Sequence, residues 1–172
     1  PLWLQYLIYD GDVARGDIGQ SFFTSHPAMT MILQTLPNSI ALTAVAFAIA
    51  IVVALPLGIL AAARPNSPTD WVARLLAVLG QCTPVFWLGI LLMLLFSVKL
   101  RWLPFGGTGT WQHLLMPGFT LAAVAVPIIL QVTRSALLDA MRQDFVRTAR
   151  SKGLTEFQVV LKHALRSASI PV

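Results

Sequence analysis

The residues that could carry out chemistry are few and lie far apart in the chain. Three histidines, His26, His113 and His163, occur among 172 residues. A serine protease that works inside a membrane needs a serine and a histidine at matched depth within apolar segments. All three histidines lie in polar segments instead. An intramembrane enzyme is therefore the less favoured alternative, and we predict a protein with no catalytic residues of its own.

Nucleotide, metal and redox chemistry have no signature in the sequence. There is no phosphate-binding loop of the form GxxxxGK[ST], so we do not expect this chain to bind ATP. The single cysteine, Cys82, lies inside an apolar segment, where a small buried side chain is the usual role. No cysteine or histidine spacing predicts a metal site. We therefore predict no metal and no cofactor.

Three polar side chains stand out because they lie inside apolar segments. Gln81 and Thr83 come next to Pro84, and Gln131 follows Pro127 by four residues. An amide without partners is costly in hydrocarbon, so these groups should face protein or a water-filled cavity. They are candidates for the wall of a translocation pathway. Simple helix packing around the prolines is the alternative interpretation, since proline is frequent in membrane helices.

The composition places these residues in a membrane protein. Hydrophobic residues make up 56% of the chain and charged residues only 11%, whereas about 25% charged is usual for a soluble domain. Segments 40–63, 75–98 and 116–133 are free of charge, and a bilayer core is crossed by about 20 apolar residues. We predict an all-α, polytopic transmembrane fragment with about three spans.

The distribution of basic residues predicts the orientation of these spans. Cytoplasmic loops of membrane proteins are enriched in lysine and arginine. We therefore predict an extracytoplasmic segment at 1–37, the spans within 38–134 and a cytoplasmic region at 135–172. Nucleic-acid binding is not predicted, because the positive charges cluster beside an apolar span. Seven of the twelve basic residues follow the third span: Arg134, Arg142, Arg147, Arg150, Lys152, Lys162 and Arg166.

The cytoplasmic region is patterned as two amphipathic helices joined at a glycine. A first helix over 135–150 would extend the third span, and Gly153 would allow a sharp turn through a positive φ. Such helices could lie on an anionic membrane surface, or a soluble partner could bind them. The first apolar stripe consists of Leu138, Met141, Phe145 and Ala149; the second consists of Leu154, Phe157, Val160, Leu161, Ala164 and Leu165.

The same region resembles a known family. The run RTARSKGL at 147–154, followed by HALR at 163–166 and IPV at 170–172, resembles the EAA loop of ABC importer permeases of the dipeptide and oligopeptide type. Two departures from the general consensus occur: Arg147 replaces its glutamate, and the next proline is Pro171. Further similar stretches follow in the family's order: GDIGQS (16–21), LPNS (36–39), PLG (56–58), TPVFWLG (83–89) and WLPFGG (102–107).

The resemblance implies a partial chain of a permease subunit in a bacterial or archaeal inner membrane, with the next span after residue 172. Its partners would be cytoplasmic ATP-binding subunits, a second permease subunit, an extracytoplasmic substrate-binding protein and membrane lipid. Segment 153–161 would be the coupling helix that docks on an ATPase subunit. The substrate class would be peptides, glutathione, nickel chelates or other small solutes. The implied coupling residues are Arg147, Thr148, Ala149, Gly153, Leu154, Phe157 and Leu161.

Overall fold

The computed structural model describes residues 1–22 and 25–168, with the side chains of 161–163 left out. The described part is helical and contains no strand, which confirms the all-α prediction. The helices are α1 (Leu2–Ala14), α2 (Ala28–Ala63), α3 (Pro68–Cys82), α4 (Val85–Met93), α5 (Gln112–Met141), α6 (Asp144–Ser151), α7 (Glu156–Gln158) and α8 (Leu165–Ala168). Two π-helical segments, Leu94–Lys99 and Val159–Ala164, continue α4 and α7 respectively.

The chain divides into two compact units, Pro1–Leu42 and Thr43–Val172. In the first unit, α1 has no buried residue, and its large apolar side chains are exposed. A tight turn follows, in which the backbone N–H of Gly19 donates to Asp17 Oδ1 at 2.9 Å. An isolated bridge between Gln20 and Pro27 then leads into α2.

Two helices, α2 and α5, are long and apolar enough to cross a membrane. The segments Pro68–Cys82 and Val85–Lys99 make a third candidate if they count as one span, but they meet at 98°. The predicted span 75–98 is therefore not one continuous helix. The break has a local cause, because Pro84 has no N–H to donate and restricts Thr83 to an extended backbone (ψ 122).

Helix α5 is the element on which the other long helices pack. A Cβ on Gly80 of α3 would lie 2.6 Å from Pro127 Cγ, and one on Gly58 of α2 would lie 2.9 Å from Thr133 Cβ. No side chain fits at either glycine without displacing α5. Small residues let membrane helices approach closely, where van der Waals packing holds them together.

Beyond the spans, the chain folds back in a way that differs from the prediction. Helix α5 ends at Met141, and Gln143 is extended before α6 begins at Asp144. The predicted continuous helix over 135–150 is therefore wrong. The turn at Gly153 is confirmed, with φ +79. One buried core joins this region to α2 and α5: Ala62, Leu137, Ala140, Val146, Ala149, Val159, Val160, Ala164 and Ala168.

Candidate functional site

The segment from Asp144 to Ala168, here called the coupling module after the role predicted for it, is built around the turn at Gly153. A Cβ on Gly153 would meet nothing within 4 Å, so the glycine is needed for its backbone angle and not for space. The next helix begins with a capping box. Thr155 Oγ1 accepts from the N–H of Gln158 at 3.4 Å, and Gln158 Oε1 accepts from the N–H of Thr155 at 3.1 Å. The start of the second helix is thereby fixed.

An ion pair closes the turn from the other side. The guanidinium of Arg150 donates through Nε to Glu156 Oε1 at 2.7 Å and through Nη2 to Glu156 Oε2 at 3.1 Å. These hydrogen bonds from Arg150 hold the pKa of Glu156 below its ordinary value. Both side chains are substantially exposed, so the pair sets geometry more than it adds stability.

One face of the module is buried against α5. Val159 and Ala164 are fully buried and Val160 is nearly so, in the core that contains Leu137 and Ala140 of α5. Six of the nine core residues come from α5 or from the part of the module after α6: Leu137, Ala140, Val159, Val160, Ala164 and Ala168. The module is therefore fixed to the end of the long helix.

The module also carries an exposed aromatic side chain. Phe157 is 73% exposed and lies within the capping box, between Thr155 and Gln158. Of the other predicted coupling residues, Arg147 and Thr148 are exposed, Ala149 is buried in the module core and Leu154 is half-buried. The side chain of Leu161 lies outside the described residues. The structure thus brings most of the predicted set into one module, but only part of that set faces outward.

A buried carboxylate that the sequence reasoning missed lies beside this module. Asp70 in the first turn of α3 is fully buried and accepts from Arg134 Nε at 2.6 Å and Arg134 Nη2 at 3.0 Å. It also accepts from Arg74 Nη2 at 2.9 Å and from the N–H of Asn66 at 2.9 Å. Asp70 therefore ties α3 and the preceding link to α5 just before the module begins.

The three predicted pathway residues do not share one cavity. Thr83 lines a largely apolar cavity of about 360 Å³ at the bend between α3 and α4. Gln131 lines a different cavity of about 500 Å³, together with Arg74 and Arg134. Gln81 is exposed on α3 and lines neither of the two. Polar groups thus accompany both cavities, at separate places along α5.

A comparison with known protein families matches the part of the chain that contains most of these features. Residues 54–172 match the model of the binding-protein-dependent transport system inner membrane component. The chain belongs to this family. The matched range contains the bend at Pro84, the Asp70 cluster and the described part of the coupling module, and the match confirms the resemblance to ABC importer permeases.

Curated relatives of the family align with the whole chain. The oligopeptide transport system permease protein AppB of Bacillus subtilis is 37% identical over 183 residues. The glutathione transport system permease protein GsiC is 41% identical in Salmonella typhi and 38% identical in Escherichia coli K12, each over 172 residues. The chain covers 58% of AppB and 56% of GsiC, so it spans about half the length of these relatives. Family and apolar helices together make it a multi-pass membrane protein.

Proposed function

We propose that this chain forms part of the permease subunit of an ATP-driven, binding-protein-dependent importer for peptides or similar small solutes. It would work in the inner membrane of a bacterium or archaeon, beside a second permease subunit and below an extracytoplasmic binding protein. It would have no catalytic role, since ATP would be hydrolysed by a separate cytoplasmic subunit. The family match and the relatives named for oligopeptide and glutathione transport support this proposal.

The observation that carries the proposal is that Phe157 is exposed directly before a segment that is buried against α5. A large aromatic left in solvent is unfavourable by roughly 25 cal/mol per Å² of apolar area, and exposed aromatics are frequent anchors of protein interfaces. The turn at Gly153 and the Arg150–Glu156 pair present this side chain in a defined position. We infer that a groove of the ATPase subunit receives Phe157.

The same geometry explains how ATP hydrolysis would reach the membrane. Because Val159 and Ala164 share a core with Leu137 of α5, a displacement of the module displaces α5 with it. Helices α2 and α3 lie close against α5 at Gly58 and Gly80, where Thr133 and Pro127 of α5 leave no room for a side chain, so they follow its movement. The module would thus convert closure of the ATPase subunits into rearrangement of the spans.

The membrane-surface interpretation fits this geometry less well. It requires the apolar stripe of the second helix to face lipid, whereas Val160 and Ala164 of that stripe are buried against the protein. Phe157 alone remains as an exposed large apolar group among the described side chains of that stripe. One aromatic side chain is a small apolar area for stable attachment to a bilayer.

Truncation of Phe157 tests the proposal. We expect Phe157→Ala, in the full-length subunit, to weaken association with the ATPase subunit by about 2 kcal/mol, which is roughly 30-fold in Kd. Solute uptake should fall while membrane insertion is unchanged. Affinity is measured by titrating labelled ATPase subunit onto the purified permease pair in nanodiscs.

Phe105→Ala is the matched control. Phe105 is 66% exposed in the loop between α4 and α5, so this substitution removes an exposed phenylalanine side chain outside the coupling module. It should leave ATPase affinity unchanged. If Phe157→Ala keeps wild-type affinity and uptake, the coupling role is wrong. If it loses affinity only for anionic vesicles and keeps the ATPase, the membrane-surface interpretation is correct instead.

We also propose that the polar groups around the bend border the translocation pathway. Thr83 lies in the cavity at the bend, and Gln131 lies in the cavity closer to the arginines. Gln81 is exposed on α3, where a lipid contact would leave its amide without partners. A water-filled route or a second permease subunit beside Gln81 would give its amide partners, whereas the hydroxyl of Thr83 already donates to the Leu79 carbonyl at 2.6 Å.

A further inference from the structure

A cavity of about 420 Å³, lined by both charged and apolar residues, lies where the coupling module meets the ends of α2 and α5. Its polar wall is formed by Arg134 and Arg142 at the end of α5, and by Arg150 and Glu156 across the turn of the module. Its apolar wall includes Ala63 and other small or aliphatic residues of α2 and α5. The cavity therefore has one charged side and one hydrocarbon side.

The charges that line this cavity do not balance. Three guanidinium groups face a single carboxylate, that of Glu156, and this carboxylate is already held by Arg150 through two hydrogen bonds. Arg134 is engaged by Asp70, which is itself shared with Arg74. The cavity keeps an excess of positive charge after these pairs are counted.

Arg142 is the residue that supplies the excess. Within the described part of the chain no acidic side chain pairs with its guanidinium, although Asp139 lies three residues earlier on the same helix end. Arg142 is exposed and caps the C-terminus of α5. Its donors are free to receive an anion that enters the cavity.

We propose that this cavity binds a phosphate group, and that the phosphate belongs to the headgroup of an anionic phospholipid. Guanidinium groups bind phosphate oxygens through paired, charge-assisted hydrogen bonds. The apolar wall would contact the glycerol and upper acyl region of a lipid. Free phosphate has no apolar part that could make this contact. Arg134 directly follows the predicted third span, which puts the cavity at the depth of headgroups.

A lipid bound here would link separate elements. It would contact α5 through Arg142 and the module through Arg150, and so hold the module against the spans. The predicted orientation of the spans would put this lipid in the inner leaflet of the membrane. The phosphate site itself rests only on the cavity and its charges.

Lipid counting on the purified importer tests the site. The full-length permease with its partner subunits is delipidated in detergent and titrated with phosphatidylglycerol or phosphatidylcholine, and bound lipids are counted by native mass spectrometry. We expect wild-type protein to prefer phosphatidylglycerol. Arg142→Gln should weaken that binding about tenfold, the loss expected for one charge-assisted contact, and Arg142→Lys should restore part of it.

Arg64→Gln is the matched control, because Arg64 is exposed on the same side of the spans but does not line the cavity. It should bind phosphatidylglycerol like the wild type. Equal affinity in wild type and Arg142→Gln overturns the proposal, and so does an equal loss in Arg64→Gln, which would reflect surface charge in general.

Inorganic phosphate distinguishes the two sources of the anion. If phosphate displaces bound phosphatidylglycerol only at high concentration, and Arg142→Gln lowers the affinity for both, the lipid is the ligand. If phosphate binds and phosphatidylglycerol shows no preference over phosphatidylcholine, the phosphate site stands and the lipid assignment is overturned. The measurement needs neither ATP nor transport, so its failure is separate from failure of the coupling role.

Discussion

Asp70 shows what a single residue does at the junction of the helices. A buried carboxylate is tolerated only when cations and hydrogen bonds compensate for its lost hydration, and here two arginines and a backbone N–H do so. Removal of the charge would leave Arg134, whose side chain is only 21% exposed, without its partner. Loss of the Asp70 charge therefore costs the free energy of leaving the charge of Arg134 largely buried and uncompensated.

We expect Asp70→Asn, which keeps the shape but removes the charge, to destabilise the subunit by about 3 kcal/mol or more. Thermal unfolding of the purified full-length subunit in detergent measures the effect. Asp139→Asn removes an exposed carboxylate from α5 and should change stability by less than about 0.5 kcal/mol. Equal unfolding midpoints for the two variants would show that the charge of Asp70 does not contribute to the stability of the subunit.

Only half of this cluster could be predicted from the sequence. The order Ser67, Pro68, Asp70 is a helix start, with serine as cap, proline at the first position and an acid in the first turn. It could have singled out Asp70. Nothing local connects Asp70 to Arg134, which is 64 residues away, because that contact depends on how α3 packs on α5.

At the scale of elements, the difference between prediction and structure lies at Gln143. No proline or glycine marks the end of α5 near Met141, so the periodicity predicted an unbroken helix. One extended residue changes the register, with the result that Val146 is fully buried and Phe145 is 40% exposed. Burial in the shared core decides this break, and a local pattern cannot reveal it.

The turn at Gly153 was predictable, because the chain needs a positive φ there and glycine adopts one readily. We expect Gly153→Asn to keep uptake near the wild-type level, since asparagine tolerates this conformation. Gly153→Val should abolish uptake, because a β-branched residue resists it. No atom lies within 4 Å of the added Cβ, so the two variants differ in backbone preference and not in steric clash.

Uptake assays and ATPase co-purification compare the two Gly153 variants. The valine variant should lose both while its spans still insert. Normal uptake in the valine variant would mean that the turn does not position the module. Loss of uptake in both variants would mean that the site demands glycine for a reason other than φ.

At the scale of the whole molecule, composition predicted the class and the approximate places of the spans, but not their geometry. Pro84 favours a bend at its position, since it removes one helix hydrogen bond. The angle of 98° could not be predicted, because α3 and α4 each pack separately against α5 through Gly80 and Gly89. Local sequence determines where the helix breaks, and tertiary contacts determine how far it turns.

The proposed orientation is tested by single cysteines in a Cys82→Ser background, which is needed because Cys82 is exposed. We expect Thr108→Cys to react with an impermeant thiol reagent on intact cells. Thr69→Cys, at the other end of the spans, should react only after permeabilisation. Both positions are exposed, so access through the membrane is the main difference. The reverse pattern of labelling would show that the spans have the opposite orientation.

Helix α5 has a mechanical consequence beyond its packing. Its 30 residues run unbroken from Gln112 to Met141, a length of roughly 45 Å at about 1.5 Å per residue. Leu137 near one end lies in the module core, and Met116 near the other lines a separate apolar cavity. A rigid tilt of α5 by about 5° about its Met141 end would move the Gln112 end by about 4 Å. A movement too small to disturb the packing at one side of the membrane becomes, at the other, a displacement the size of a side chain.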